Sequence, residues 1–398
     1  MSHFFLPKDV IWILDTLESA GYRADIVGGP VRDLIRGVEP HDFDITTSAL
    51  PEQTKAVFSG ERIVETGIKH GTVSLIKNGE QYEITTYRVD GEYEDNRHPK
   101  SVSFTDRIED DLARRDFTVN AIAYSPARGI TDPFGGALDI EKRLISAVGR
   151  AEDRFEEDAL RILRGIRFAS VLDFEIDEKT KAAMMEKSNL LCNISAERIF
   201  VEWKKLLSGK RALDVLAEFC GITSVFFPEA KIPENINRSA FDSASPMVKH
   251  VSLFAAAGAK SYADAMHRLK TDRVTIDSGK SAISAIGKYK NDSTSLAFML
   301  RDLGVETAKL AVECEMILGL CDHRKMALLS ATEVSGVPYK LSMLNIDGSD
   351  LLSIGFSGFE IGKTLAQLQE KVILGALKNE KELLKNEALK QKSSLTEI

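Results

Sequence analysis

The chain reads as an α+β protein: an N-terminal α/β head with a mixed β-sheet, followed by an all-helical neck, body and tail. Three observations carry that reading. Up to about residue 148, short β-rich runs interleave with helical patterns. Strand signals then nearly vanish. From about residue 153 onward apolar residues recur at helical spacing, as in "ALRILRGIRFASVL", "ERIFVEWKKLL" and "KRALDVLAEF". With 398 residues, 43% of them hydrophobic, the chain can fill about two to four compact cores. The expected segments are a head over 1–148, a neck over 149–210, a body over 211–325 and a tail over 326–398.

Taken in order, residues 8–20 carry a helical pattern and "RADIVGG" a strand ending in a glycine pair. "DFDIT" is expected as the next strand and 50–58 as a helix. "GTVSLI", "YEITTYRV" and "VSFT" complete the β-rich runs, each bounded by Gly, Asn or Asp. Residues 228–250, rich in Pro, Ser and Asn, read as a loop or weakly ordered connection within the helical array. The last stretch, "LKNEKELLKNEALKQKSSLTEI", is charged and is expected to fray at its end. No fixed-period repeat is present.

Composition excludes several classes. The longest apolar runs are short and interrupted by charge, and Lys8, Asp9 and Asp15 stand where a signal peptide needs unbroken apolar residues, so a cytoplasmic protein with no membrane segment is expected. Cys192, Cys220, Cys314 and Cys321 are scattered without a CxxC pair, which supports neither a disulfide framework nor a zinc site. Cys314, Cys321 and His323 have no metal-ligand spacing. The net charge of −8 argues against nucleic acid as a partner, unless local Lys and Arg clusters override the sum.

The chemistry concentrates in "GGPVRDLIRGVEPHDFDIT", residues 28–46. In a strand, Asp42 and Asp44 project from one face while Phe43 points to the core. Carboxylates spaced about 6–7 Å along a strand can converge on a pair of hard cations. Mg²⁺ fits, because it takes a few carboxylates plus substrate phosphates. A DxD alone could equally be a solvated strand end. Here Gly28 and Gly29 follow a strand and precede a helix, with Pro30 suited to a first helical position and Arg32 one turn in. That arrangement can cradle phosphates, and Arg32 adds a forked charge. Phosphate cradle and metal carboxylates together point to nucleotidyl transfer.

Five motifs in this order, "GGPVRDLIRG", "DFDIT", "ARRDFTVNAIAY", "DPFGGALDI" and "RFEEDALRILRGIRFAS", resemble those of the class II tRNA nucleotidyltransferases, the CCA-adding enzymes, within the DNA polymerase beta superfamily. The resemblance covers about residues 22–210. Pro30 departs from the small residue more usual there, without expected consequence. The resemblance implies an Mg²⁺-dependent enzyme that adds C, C and A to the tRNA 3′ end from CTP and ATP. Asp42 and Asp44 would bind the metals for attack of the 3′-hydroxyl on the α-phosphate.

Asp116 and Asn120 share one face if their segment is helical, with Arg115 beside them. Spacing alone leaves a salt-bridged helix start open; the resemblance implies that the three address the nucleotide's sugar and phosphates. Asp158 and Arg161, three apart on a helix, would present an acceptor beside a forked donor, with Arg164 and Arg167 along a neighbouring stripe; the resemblance implies that these two arginines lie near the triphosphate. Cytosine and adenine each show an amine beside a bare ring nitrogen and match this pair. Guanine and uracil would leave polar groups unpaired, at about 1–3 kcal/mol each. A Glu157–Arg161 ion pair could coexist with this template.

Residues 88–104, punctuated by Gly91 and Pro99, read as a surface hairpin loop. The resemblance implies a flexible loop associated with the switch from C to A addition, with Asp90, Asp95 and Arg97 able to bond across to the head. It also implies that body and tail receive the tRNA acceptor stem and elbow. The tail lysines 363, 371, 378, 381 and 385 read otherwise as a solvated face. Three rivals stay open: an enzyme adding only the terminal A, a bacterial poly(A) polymerase, and a catalytically silent tRNA-binding protein. The polymerase would be expected to carry a strongly basic C-terminal extension. The silent protein has no need of intact metal carboxylates.

Overall fold

The computed structural model describes residues 4–65, 67–68, 71–91 and 101–396. Asp95 and Arg97 lie outside the described residues. The chain divides into two compact units, Met1–Pro228 and Glu229–Ile398. The segments expected as head and neck fall together in the first unit, and the boundary lies within 211–325.

The first unit opens with α1 (Lys8–Ser19), which forms because Val10, Ile13, Leu14 and Leu17 recur on one face; all four are buried. β1 (Ala24–Val27) is buried throughout. α2 (Gly29–Ile35) follows at once, with Pro30 in its first turn. Next come β2 (Ile45–Thr47), α3 (Pro51–Val57), β3 (Arg62–Val64), β4 (Thr72–Lys77), β5 (Glu80–Thr86), β6 (Arg88–Asp90) and β7 (Val102–Phe104). α4 (Ile108–Ala113), β8 (Ala123–Ser125), β9 (Gly129–Thr131) and α5 (Gly136–Lys142) complete the head.

Among the described residues, seven of these strands form one sheet in the order β3-β4-β5-β2-β1-β8-β9. It is mixed, since β2 runs parallel to β5 and the other neighbours are antiparallel. The run "YEITTYRV" is not one strand. Tyr87 donates its N–H to the Thr47 carbonyl at 2.8 Å and its hydroxyl to Asp25 at 2.7 Å, and beyond it the chain leaves the sheet. β6 and β7 then pair with each other as a separate antiparallel ribbon, Asp90 opposite Val102.

Helices take over with α6 (Ala151–Glu157) and α7 (Leu160–Leu172), followed by α8 (Glu178–Lys187) and α9 (Ala196–Leu207). Two short strands that the sequence reading missed, β10 (Leu144–Ile145) before α6 and β11 (Glu175–Ile176) after α7, pair in parallel. "EDALRILRGIR" was expected as one helix and is two. Asp158 sits in the break with extended backbone, φ −139°, ψ 103°. α7 buries Leu160, Ile162, Leu163, Ile166 and Ala169. It is held close to the head at Gly165, where any Cβ would collide with Phe117 and Met184.

The second unit is helical. The expected loop 228–250 is half right, because helices form at Arg238–Ser243 and Pro246–Phe254. The residues that read as loop formers are caps: Asn237 accepts from the Ala240 N–H, and Ser245 from the Val248 N–H ahead of Pro246. Leu344, Leu351, Phe356, Leu368 and Leu384 make a local core toward the C-terminus. Several tail lysines pair with acids there, Lys381 and Lys385 both with Asp350 at 2.7 and 3.3 Å. No helix among the described residues is long and apolar enough to cross a membrane.

Candidate active site

The carboxylates of "DFDIT" lie one step earlier than expected. Regular pairing begins at Ile45, and Asp42, Phe43 and Asp44 form the lead-in to β2. The reason is the neighbouring strand: β1 ends at Val27, whose N–H bonds the Asp44 carbonyl at 3.0 Å, and Gly28 then turns away. Phe43 is accordingly half-buried and not in the core, while Asp42 and Asp44 are exposed. Because Ile45 pairs with Ile84 on parallel β5, Asp44 stands beside Glu83. Glu83 is a third carboxylate that the sequence reading missed; only strand register brings it here.

Among the described residues no hydrogen bond or ion pair engages the carboxylates of Asp42, Asp44 or Glu83. Desolvation by neighbouring atoms raises the Asp44 carboxyl above the usual range, although the residue is open to solvent. Arg115 acts against that shift, and Asp42 and Glu83 with it. The described residues hold no closed set of three or more His, Cys, Asp or Glu ligands. An open, unneutralised set of carboxylates fits Mg²⁺, which completes its shell with water and substrate phosphate.

Gly28 separates these carboxylates from a cluster of arginines. Its φ of +80° is strained for any residue with a side chain, and a Cβ would lie 2.8 Å from Nη1 of Arg115. Backbone and guanidinium therefore share one crowded corner. α2 spans only Gly29–Ile35, so its dipole is small, and the positive field here rests on Arg115 and Arg32.

Asp116 and Asn120 are not on an α-helix. Asp116 precedes a single 3₁₀ turn, Thr118–Asn120, and Asn120 closes it, because the chain bends between α4 and β8. They still meet: Asn120 Nδ2 donates to Asp116 Oδ1 at 3.2 Å. Arg32 Nη1 donates to Asn120 Oδ1 at 2.7 Å, and Arg164 Nε to Asp116 Oδ2 at 2.7 Å. Burial would raise Asp116, but the charge and hydrogen bond of Arg164, with the Asn120 bond, bring it down to about 2. Arg32, Arg164 and Arg167 also gather round the Phe168 ring, at 5.5, 5.5 and 3.9 Å from its centroid.

Asp158 and Arg161 do not stand side by side on one helix, since Asp158 occupies the break before α7. Its Oδ1 accepts from the Leu160 N–H at 3.0 Å and its Oδ2 from Nη2 of Arg198 at 2.8 Å. Arg161 donates to Glu157 at 2.5 Å and to the carbonyls of Arg154 and Arg114 at 3.2 and 2.9 Å. Arg167 pairs with Glu202 at 2.6 Å. Arg198 and Glu202, one turn apart on α9, were missed because nothing in "ERIFVEWKKLL" distinguishes them from a solvated stripe. Asp90 of the ribbon approaches Arg114 at 3.7 Å.

The poly(A) polymerase head domain matches residues 24–146, the RNA and SrmB-binding site of polymerase A residues 173–232, and tRNA nucleotidyltransferase domain 2 residues 248–388. A CCA-adding enzyme of Bacillus cereus is 36% identical over 94% of this chain and 96% of its own length. One from Streptococcus thermophilus is 51% identical over about half of each chain. Among solved structures, the Bacillus stearothermophilus CCA-adding enzyme in complex with CTP matches with a TM-score of 0.82 and 29% identity, over 99% of this chain and 100% of that one. The Thermotoga maritima CCA-adding enzyme complexed with tRNA shares the fold, with a TM-score of 0.72, 22% identity and coverage of 98% and 97%. With that identity sustained over nearly the full chain, and carboxylates unpaired among the described residues set beside a cluster of arginines, this protein belongs to the family of CCA-adding enzymes.

Proposed function

We propose that this chain adds C, C and A to the 3′ end of tRNA from CTP and ATP without a nucleic-acid template, by attack of the 3′-hydroxyl on the nucleotide α-phosphate with loss of pyrophosphate. The observation that carries the reading is Arg115, set against Gly28 and acting on Asp44, which joins a phosphate-binding corner to a metal-binding edge. Asp42 and Asp44, with Glu83, would hold Mg²⁺. When bound, the cation would polarise the α-phosphate and offset the charge that builds on it. Arg32, Arg115 and Arg164 bind the phosphates, their forks held in place by Asp33, Asp111 and Asp116. Asn120 and Asp116 orient the sugar.

Base choice falls to Asp158 and Arg161. Arg161 has committed three of its five donors and Asp158 has lone pairs to spare, so each can still engage a base edge. An amine beside a bare ring nitrogen satisfies both. A carbonyl beside an N–H satisfies neither and costs about 1–3 kcal/mol per unpaired group. The segment following Asp90 is the lever between C and A addition, and the helical second unit receives the acceptor stem and elbow. Four free thiols support a reducing, cytoplasmic setting.

The test is addition to tRNA transcripts ending before CCA, after C and after CC, with CTP and ATP separately and together. Full addition to all three substrates is expected. Addition of A alone to the CC-ended transcript would make this a terminal-A enzyme; no transfer in Mg²⁺ to any of them would make it a silent binder.

A further inference from the structure

The base-reading carboxylate has a neighbour that the reaction as described does not use. Asp158 lies outside any helix, so no regular backbone pattern aims its side chain. Two bonds do so instead. The Leu160 N–H holds Oδ1, and Arg198 of α9 holds Oδ2 through Nη2 at 2.8 Å. Both partners are only slightly open to solvent, at 26% and 18% of their side-chain surface. The second guanidinium nitrogen of Arg198, Nη1, is buried without a hydrogen-bond partner among the described residues.

We propose that Arg198 is a specificity-determining positioning residue, which by holding Oδ2 of Asp158 sets the acceptor that separates amine-bearing from carbonyl-bearing bases. This rests on the assignment of Asp158 to base reading. A carboxylate free to rotate could turn away from a guanine or uracil carbonyl and escape the clash that rejects it. Pinned at both oxygens, it cannot. Discrimination by unpaired polar groups needs them to stay unpaired when the wrong base enters, and the charge-assisted fork of an arginine supplies that rigidity. α9 reinforces the arrangement one turn on, where buried Glu202 pairs with Arg167.

The experiment compares Arg198→Met, Arg198→Lys, Asp158→Ala and the Asp158→Ala/Arg198→Met double variant in the full-length enzyme. It measures kcat and KM for CTP, ATP, GTP and UTP on tRNA transcripts, with thermal unfolding as a check on folding. Arg198→Met should lower the preference for CTP over UTP about tenfold, mainly through a lower KM for UTP. Arg198→Lys should recover part of that preference. The double variant should be no less selective than Asp158→Ala alone, since Arg198 acts through Asp158. If Arg198→Met unfolds, Arg198→Gln replaces it under the same criteria. Parental selectivity in the Arg198 variants while Asp158→Ala loses it overturns the proposal and leaves base reading by Asp158 intact. Additive losses in the double variant also overturn it. Parental selectivity in Asp158→Ala removes the assignment of Asp158 itself.

Discussion

The carboxylate edge before β2 and the arginine cluster around the start of α7 treat charge in opposite ways. At the edge, Asp42, Asp44 and Glu83 stand near one another with no bonded cation of the protein among the described residues, and Asp44 holds its proton more tightly, first through desolvation and then through the charges of Asp42 and Glu83. In the pocket, Asp116, Asp158, Arg32, Arg161 and Arg164 are each bonded to an oppositely charged or polar partner. An unpaired cluster stores repulsion that a bound cation relieves. A paired network is pre-organised, so that groups reading a sugar, phosphate or base need little reordering when it arrives. The edge proposed to hold the metal and the cluster proposed to select the nucleotide are thus distinguishable by pairing alone.

The largest expected effect breaks the edge. Asp42→Ala or Asp44→Ala should reduce both C and A addition by about 10³-fold or more while tRNA affinity measured by filter binding stays near parental. Near-normal turnover of either variant in Mg²⁺ would remove the metal assignment. Next is the joint between the two regions. Gly28→Ala adds a Cβ against Arg115 at a φ that side chains avoid. It should cost about 1–3 kcal/mol of stability in urea unfolding, and turnover should fall with it as Arg115 is displaced. A fully active, equally stable variant would show that the corner is roomier than its geometry.

The pocket gives a smaller, pH-dependent effect. The Asp116 carboxyl lies at about 2, below the value of 3.8 for an unperturbed aspartate. A depressed carboxylate contributes stability that is present above its unfolded value and lost as pH falls through its folded one. Asp116→Asn should therefore cost about 2 kcal/mol at neutral pH, and the difference from the parent should shrink as pH falls from about 4 toward 2. A difference independent of pH over that window would mean that Arg164 does not hold Asp116 ionised. The smallest effect belongs to pairing without burial. Arg150, 75% exposed and 3.9 Å from Asp153, should change stability by less than about 0.5 kcal/mol when replaced by alanine. A larger loss would mean that exposed pairs matter as much here as those in the pocket.

The local pattern of the chain determined a good deal. The interleaved strands and helices of the head, the helical remainder, the strand–glycine–helix corner at Gly28 and the run holding Asp42 and Asp44 all follow from period, turn chemistry and residue type, which act over a few neighbours. Tertiary structure decided the rest. Glu83 reaches Asp44 only through the register of parallel β5 against β2. Asp116 and Asn120 meet across a 3₁₀ turn and not along a helix. The apparent helix through Asp158 breaks there, and Asp158 takes its partner from Arg198, forty residues on, because α9 packs against α7. Helical spacing predicts what stands on one face of a single helix. Which charge answers another across two elements depends on how those elements pack, and that is a property of the folded chain as a whole.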